Sequence, residues 1–422
     1  MPQRKCTKTR VEIVKPLKRI TLPIAMSSYP TLVQDKPAFR QWVATMLQTY
    51  PALFPAAITQ GYTLHDQRVS TKLPAVTLRR IELVTPHAHG QRPVFTMAPS
   101  GVLPYLTGYT DAVEKGLFLR RFGGPYGGLA YVFGRAEQYG YRLTSHLGRF
   151  EIVATPVQAP ENLPRHLLAD EKQVVLNGAK AYIATTVGQA CVLGAAVALA
   201  ADEPALTAAY QGFQQEAQHL HPAYQPETVN TDGWPATQKT GRGLFPWMVI
   251  RECCLHAFLN IRQACPQRFK AVYPDIQQQV WGIYQTPDPA TFQHRVGVLQ
   301  TWAHQTVTGP TLAAIEKLCA KADRFLLAFE HPPADRTSHM LARHMLPMAR
   351  WLANARHFHG PWASAERQTR AWAGLHNFWP YCPRAKISQA FSSPAHQLNG
   401  FVYHANWLHN LLISTSHVTA LD

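Results

Sequence analysis

The sequence predicts an α/β protein, with a mixed-sheet core interrupted by a helical insertion and preceded by a basic N-terminal region. Three observations carry that prediction. Strand-like runs at residues 167–170, 180–187, 191–200, 228–232 and 247–250 are interleaved with helical apolar spacing in a definite order. Two of those runs end in a carboxylate, Asp170 and Asp232. The formal charge is +16, from 41 Lys and Arg against 25 Asp and Glu, which suits a polyanionic partner.

At 422 residues the chain exceeds the usual single-domain range, so two or three domains are expected, and 46% hydrophobic content supplies their cores. Acidic residues are sparse up to about residue 150, while Arg and Lys recur in clusters. Binding through such a field would be strongly salt-dependent. The longest apolar run, residues 191–201, is too short to span a bilayer, and no long basic amphipathic helix stands out, so no membrane partner is expected. The seven cysteines, Cys6, Cys191, Cys253, Cys254, Cys265, Cys319 and Cys382, are scattered without a C-x-x-C pair. That argues against a disulfide scaffold or a zinc ribbon and fits a reducing cytoplasm. The basic start has no apolar core of a signal peptide, and a cytoplasmic location is the expectation.

In chain order, residues 1–37 carry many Arg and Lys and several Pro, and are expected as a flexible basic arm. Residues 39–53 have helical spacing, and 76–84 with 92–97 suggest a β-hairpin around Pro86-His87-Ala88-His89-Gly90. Without nearby Cys, His87 and His89 read as a solvated turn rather than a metal site. A helix at 111–122 is broken by Gly123-Gly124-Pro125, a short helix follows at 126–133, and a third, rich in Arg and aromatics, covers 135–147. This is the outline of a helix-turn-helix at about 110–148, inside a DNA-binding region spanning 38–160. Its third helix would offer Arg135, Gln138, Arg142 and Ser145 to bases or phosphates; the alternative is three helices packed only as structure.

Residues 161–262 form the first part of the core. Three strands (antiparallel), a helix at 206–220, the strand to Asp232, a helix from Pro235 and a last strand give the element order of an RNase H-like mixed sheet, whose first and fourth strands lie side by side. Thr228 and Val229 are β-branched, Gly233 frees the chain to turn, and Pro235 suits a first helical position. On local evidence Asp232 is either a ligand held at a strand end or a cap of the next helix. The second strand-end carboxylate, Asp170, favours the ligand. Two fixed carboxylates suit Mg²⁺ (or Mn²⁺), which takes hard oxygen ligands, and two-metal phosphoryl transfer, with ions roughly 3.5–4 Å apart.

Asp170-Glu171-Lys172, Val-Asn-Thr-Asp232-Gly233-Trp234-Pro-Ala-Thr-Gln238, and Cys254-Leu255-His256-Ala257-Phe258-Leu259 with Ile261-Arg262 resemble bacterial insertion-sequence transposases of the DDE type. The Cys253-x-x-His256 step is similar to the C/D-x-x-H signature of the Mutator-like and hAT-like branches. The resemblance covers residues 100–380. It implies that Asp170 and Asp232 are the first two metal ligands and that His256 supports the site or contacts DNA; the residue-level alternative for His256 is a core histidine at a helix start. It also implies partners: double-stranded DNA (element ends and target) and further copies of the chain in a homo-oligomer.

Residues 263–330 are expected as the helical insertion, 331–382 as the C-terminal helices of the core, and 383–422 as a tail. The segment Arg336-Thr337-Ser338-His339-Met340-Leu341-Ala342-Arg343 is similar to the family's Thr-Ser-Asn-x-x-Asp-Arg, whose Asp is the third metal ligand. Ala342 stands at that place and cannot bind metal; Asp335 and Glu330 are the nearest carboxylates, one of which would have to substitute. The resemblance therefore implies a transposase that cleaves and joins DNA ends, or a catalytically impaired descendant that only binds DNA.

Overall fold

The computed structural model describes residues 18–86, 90–266, 269–334, 337, 339–353 and 358–416, a mixed α/β chain with two mixed sheets. It divides into two compact units: Met1–Val113, Arg149–Glu151 and Tyr403–Asp422 form one, and Glu114–Gly148 with Ile152–Val402 the other.

The first unit contains β1 (Arg19–Leu22), α1 (Tyr29–Gln34), α2 (Lys36–Thr49), β2 (Tyr62–Val69), β3 (Thr77–Leu83) and β4 (Val94–Pro99), with strand order β1-β4-β3-β2. The hairpin expected from sequence is the antiparallel pair β3–β4, while β1 joins β4 in parallel. Residues 87–89, with His87 and His89, lie outside the described residues. Part of the expected basic arm is structured. Ile20 and Leu22 are buried with Phe39, Val43, Ile81, Phe95 and Met97, because a strand packed on the core needs apolar side chains whatever the charge around it. The expected tail likewise ends in a buried helix, Trp407–Ser414, whose Ile413 joins the same core. Ser416 Oγ accepts the Thr21 N–H at 2.7 Å, which ties the segment after that helix to β1.

The second unit takes up most of α3 (Asp111–Arg120), then α4 (Tyr126–Phe133) and α5 (Glu137–Leu147), whose inner face (Leu143, Thr144, Leu147) is buried. Next come β5 (His166–Leu176), β6 (Ala179–Gly188), β7 (Cys191–Ala198), α6 (Glu203–Leu220), β8 (Thr228–Thr231), α7 (Pro235–Leu244) and β9 (Val249–Glu252). The five-stranded sheet runs β7-β6-β5-β8-β9; β6 is antiparallel to both neighbours, and β5, β8 and β9 are parallel to one another. Helix α6 buries Leu206, Tyr210, Phe213 and Ala217, a stripe at helical spacing, against Leu167, Ala169, Leu193 and Val229 of the sheet.

A helical layer then runs through α8 (Cys254–Ala264), α9 (Tyr273–Tyr284), α10 (Pro289–Thr306), α11 (Pro310–Cys319) and α12 (Ala322–Glu330) around its own apolar core. It begins earlier than residue 263, because Cys254, Phe258 and Ile261 of α8 already belong to that core. The chain returns through α13 (His339–Ala353), α14 (Trp362–Phe378) and α15 (Pro394–Asn399). Helix α14 closes the open edge of β7. Its Asn377 bonds both the N–H and the carbonyl of Val192 at 2.8 Å, Glu366 accepts the Val197 N–H, and Trp362 donates to the Val197 carbonyl. Edge groups left unpaired would invite another chain, so these side chains do the work of a sixth strand. Among the described residues no helix is long and apolar enough to cross a membrane.

Candidate active site

β5 and β8 run in parallel with Leu168 opposite Asn230. Asp170 and Asp232 each follow two positions later: Asp170 lies midway along β5, which continues to Leu176 instead of ending at the carboxylate as expected, and Asp232 lies one residue past β8, close enough for its charge to act on Asp170. Each is anchored through one oxygen: Asp170 Oδ1 accepts the Glu171 N–H at 2.8 Å, and Asp232 Oδ1 accepts the Trp234 N–H at 2.9 Å. The second oxygens make no hydrogen bond among the described residues. Between Asp232 and Trp234 the chain turns at Gly233, whose φ of +91° suits glycine.

The electrostatics reflect this crowding. Burial, and then the neighbouring Asp232 carboxylate, push the Asp170 carboxyl up to about 6. His256, in the first turn of α8, has its pKa raised, first by the hydrogen bond with Cys253 and further by the Asp170 and Asp232 charges, against an opposing effect of burial. His256 thus belongs electrostatically to the carboxylate pair.

Sequence reasoning missed two carboxylates. Glu171 leaves the opposite face of β5, toward α6 and α7. There its Oε1 accepts from Tyr210 at 2.7 Å and Thr237 at 2.7 Å, while its buried Oε2 has no partner among the described residues. Burial raises Glu171 to about 7 despite those two donors. Glu252 ends β9 and is 5% exposed; it is gripped by Lys321 at 2.6 Å, by Arg324 and by Gln238 at 3.1 Å. Its burial would raise the carboxyl, but the donors outweigh that and hold it below its ordinary value. The signal that exposed Asp170 and Asp232, a strand-like run ending in a carboxylate, is present at Glu252 too. No local pattern marks Glu171, whose partners lie 39 and 66 positions away.

The other sequence candidates are scattered. Arg135, Gln138 and Arg142 are exposed on α5 and the turn before it, with Arg135 lying over the Tyr139 ring at 5.1 Å. Ser145 is on the side of α5 that packs against α14, and its hydroxyl accepts from Gln368 at 2.7 Å. That bond occupies the group expected to face DNA. Asp335 lies outside the described residues, and Ala342 sits within α13. Among the described residues no group of three or more His, Cys, Asp or Glu side chains could hold a metal ion. The chain matches no protein-family model, and no curated protein matches it either.

Proposed function

We propose that this chain is a DNA transposase of the DDE type, built on an RNase H-like core. One observation carries the reading. Asp170 within β5 and Asp232 just past the parallel neighbour β8 come together in a five-stranded sheet of order β7-β6-β5-β8-β9, which supports the expected RNase H-like arrangement. Ligands of open α/β sheets bind outside the carboxyl ends of the strands, where Asp232 lies one residue past β8, while Asp170 faces the same region from within the neighbouring β5. The donor set suits Mg²⁺ or Mn²⁺. Two like charges are packed together with an oxygen to spare on each, and a hard divalent cation would relieve their repulsion while keeping waters and substrate phosphate as its remaining ligands. When bound, the metal would activate the attacking oxygen and stabilise the leaving one. The protein's own part is to hold one carboxylate within β5 and the other just past β8, and to set the His256 imidazole beside them. The exposed Arg135, Gln138 and Arg142 of the helix-turn-helix outline would hold the duplex.

A second reading, a descendant that binds DNA without cutting it, is favoured by Ala342 at the family's third acidic place. The test uses labelled duplex ends with Mg²⁺ or Mn²⁺. Nicking that disappears in Asp170→Ala and Asp232→Ala, with DNA affinity intact or slightly raised, supports the transposase. Binding without nicking, and none restored by Ala342→Asp, leaves the second reading. Absence of DNA binding rejects both.

A further inference from the structure

We propose that Lys321 and Arg324 form a phosphate-contacting pair beside the turn that follows Asp232, held ready by Glu252. The inference rests on the DNA reading above and names a part of the interface that no motif pointed to. Lys321 is the residue before the first turn of α12, and Arg324 lies within that turn. Cations there oppose the helix dipole, so the helix itself gains nothing from them. Both reach instead to one buried carboxylate at the end of β9, Lys321 to Glu252 Oε2 and Arg324 to Oε1. Two cations on one carboxylate leave an excess positive charge, and the Arg324 side chain remains 55% exposed. A buried strut between β9 and α12 would need only one of them.

The position is as telling as the charge. A Cβ added at Gly233 would lie 3.0 Å from Glu252 Oε2 and 3.3 Å from Lys321 Nζ. The ammonium is therefore packed against the residue that follows Asp232. A phosphodiester brought to the carboxylates presents further phosphates to either side along its strand. Lys serves these as a point charge, and Arg as a planar fork with donors left over after one carboxylate bond. Glu252 holds both side chains in place through its two oxygens, which spares part of the ordering cost on binding.

The experiment measures anisotropy of a labelled duplex, and of the single strand of the same sequence, with the full chain in EDTA, from about 50 to 200 mM salt. Lys321→Gln and Arg324→Gln should each weaken binding several-fold at the low-salt end. Each should also flatten the log–log salt dependence by about 0.7–0.9, the signature of one lost phosphate contact. Arg324→Lys, which keeps the charge, should retain the wild-type slope. If Lys321→Gln does not fold, the more exposed Arg324→Gln decides alone. Wild-type affinity and slope in the neutral variants overturn the proposal and leave the pair as a strut. Failure of the wild-type chain to bind either oligonucleotide instead removes the DNA reading itself, so the two failures are distinguishable.

Discussion

Replacing Asp170 by Asn should make the metal-free protein more stable at neutral pH. Asp170 ordinarily titrates near 3.8 and is pushed up to about 6 by burial and by Asp232. Near and below pH 3.8 the carboxyl is largely protonated whether the chain is folded or not, and little is lost. As pH rises from there toward 6 the unfolded chain sheds its proton first, so folding stability falls. Above about pH 6 the full penalty is present, roughly two pH units at ~1.4 kcal/mol each, or ~3 kcal/mol. Because Asp170 is only partly shielded from water, a gain of about 1–3 kcal/mol is the expected outcome for Asp170→Asn at pH 7.5, shrinking below about 1 kcal/mol at pH 4. Urea unfolding of both proteins at the two pH values, in EDTA, measures it. Adding Mg²⁺ should reverse the ranking: a ligand at about 100 times its Kd stabilises the wild type by ~2.7 kcal/mol, a gain the variant forgoes with its ligand oxygen. An Asp170→Asn protein that is less stable than wild type in EDTA at pH 7.5 would refute the claim that burial and the nearby Asp232 carboxylate disfavour the Asp170 charge.

Two further outcomes probe the scaffold. Gly148→Ala should cost about 1–3 kcal/mol or more, since a Cβ there would lie 1.9 Å from the Arg367 carbonyl oxygen and 3.1 Å from the Ala371 nitrogen of α14, backbone atoms that cannot swing away; an unchanged urea midpoint contradicts the close approach of α5 and α14. The buried pair His344–His376, with Nδ1 and Nε2 2.5 Å apart, sets a pH limit on the same region. Burial lowers both imidazoles, His344 to about 4, and nearby Arg343 and Arg121 act in the same direction. Above pH ~6.5 both stay neutral in either state and the stability is intact; as pH falls toward 4 the unfolded chain takes up protons that the folded core refuses, a loss on the order of 2 kcal/mol by pH ~4.5. A His344→Leu, His376→Leu double variant should show a flatter dependence of its urea midpoint between pH 7 and 4.5, and equal slopes in the two proteins would count against the pair.

The order of strands and helices from Leu167 to Glu252 was legible because each element carries a local pattern: alternating or continuous apolar runs for strands, helical spacing for α6, and Gly233 and Pro235 as punctuation. Asp170 and Asp232 stood out for the same reason, as the polar ends of apolar runs. The β1 strand was hidden by its basic surroundings, and the helix Trp407–Ser414 by its mixture of apolar residues with His409, Asn410 and Ser414, whose burial depends on partners elsewhere in the unit.

Taken alone, the amino-acid order determined the strands and helices between Leu167 and Glu252, where two carboxylates follow apolar runs, and that the chain is strongly basic, since all three are properties of neighbouring residues or of sums over the chain. Only the folded chain decided what distant side chains do to one another: that Glu171 is caught between Tyr210 and Thr237, that Lys321 and Arg324 converge on Glu252, and that Ser145 is engaged by Gln368. Those meetings are set by packing between elements far apart in sequence, and neither periodicity nor spacing carries information about which of many polar groups will face which.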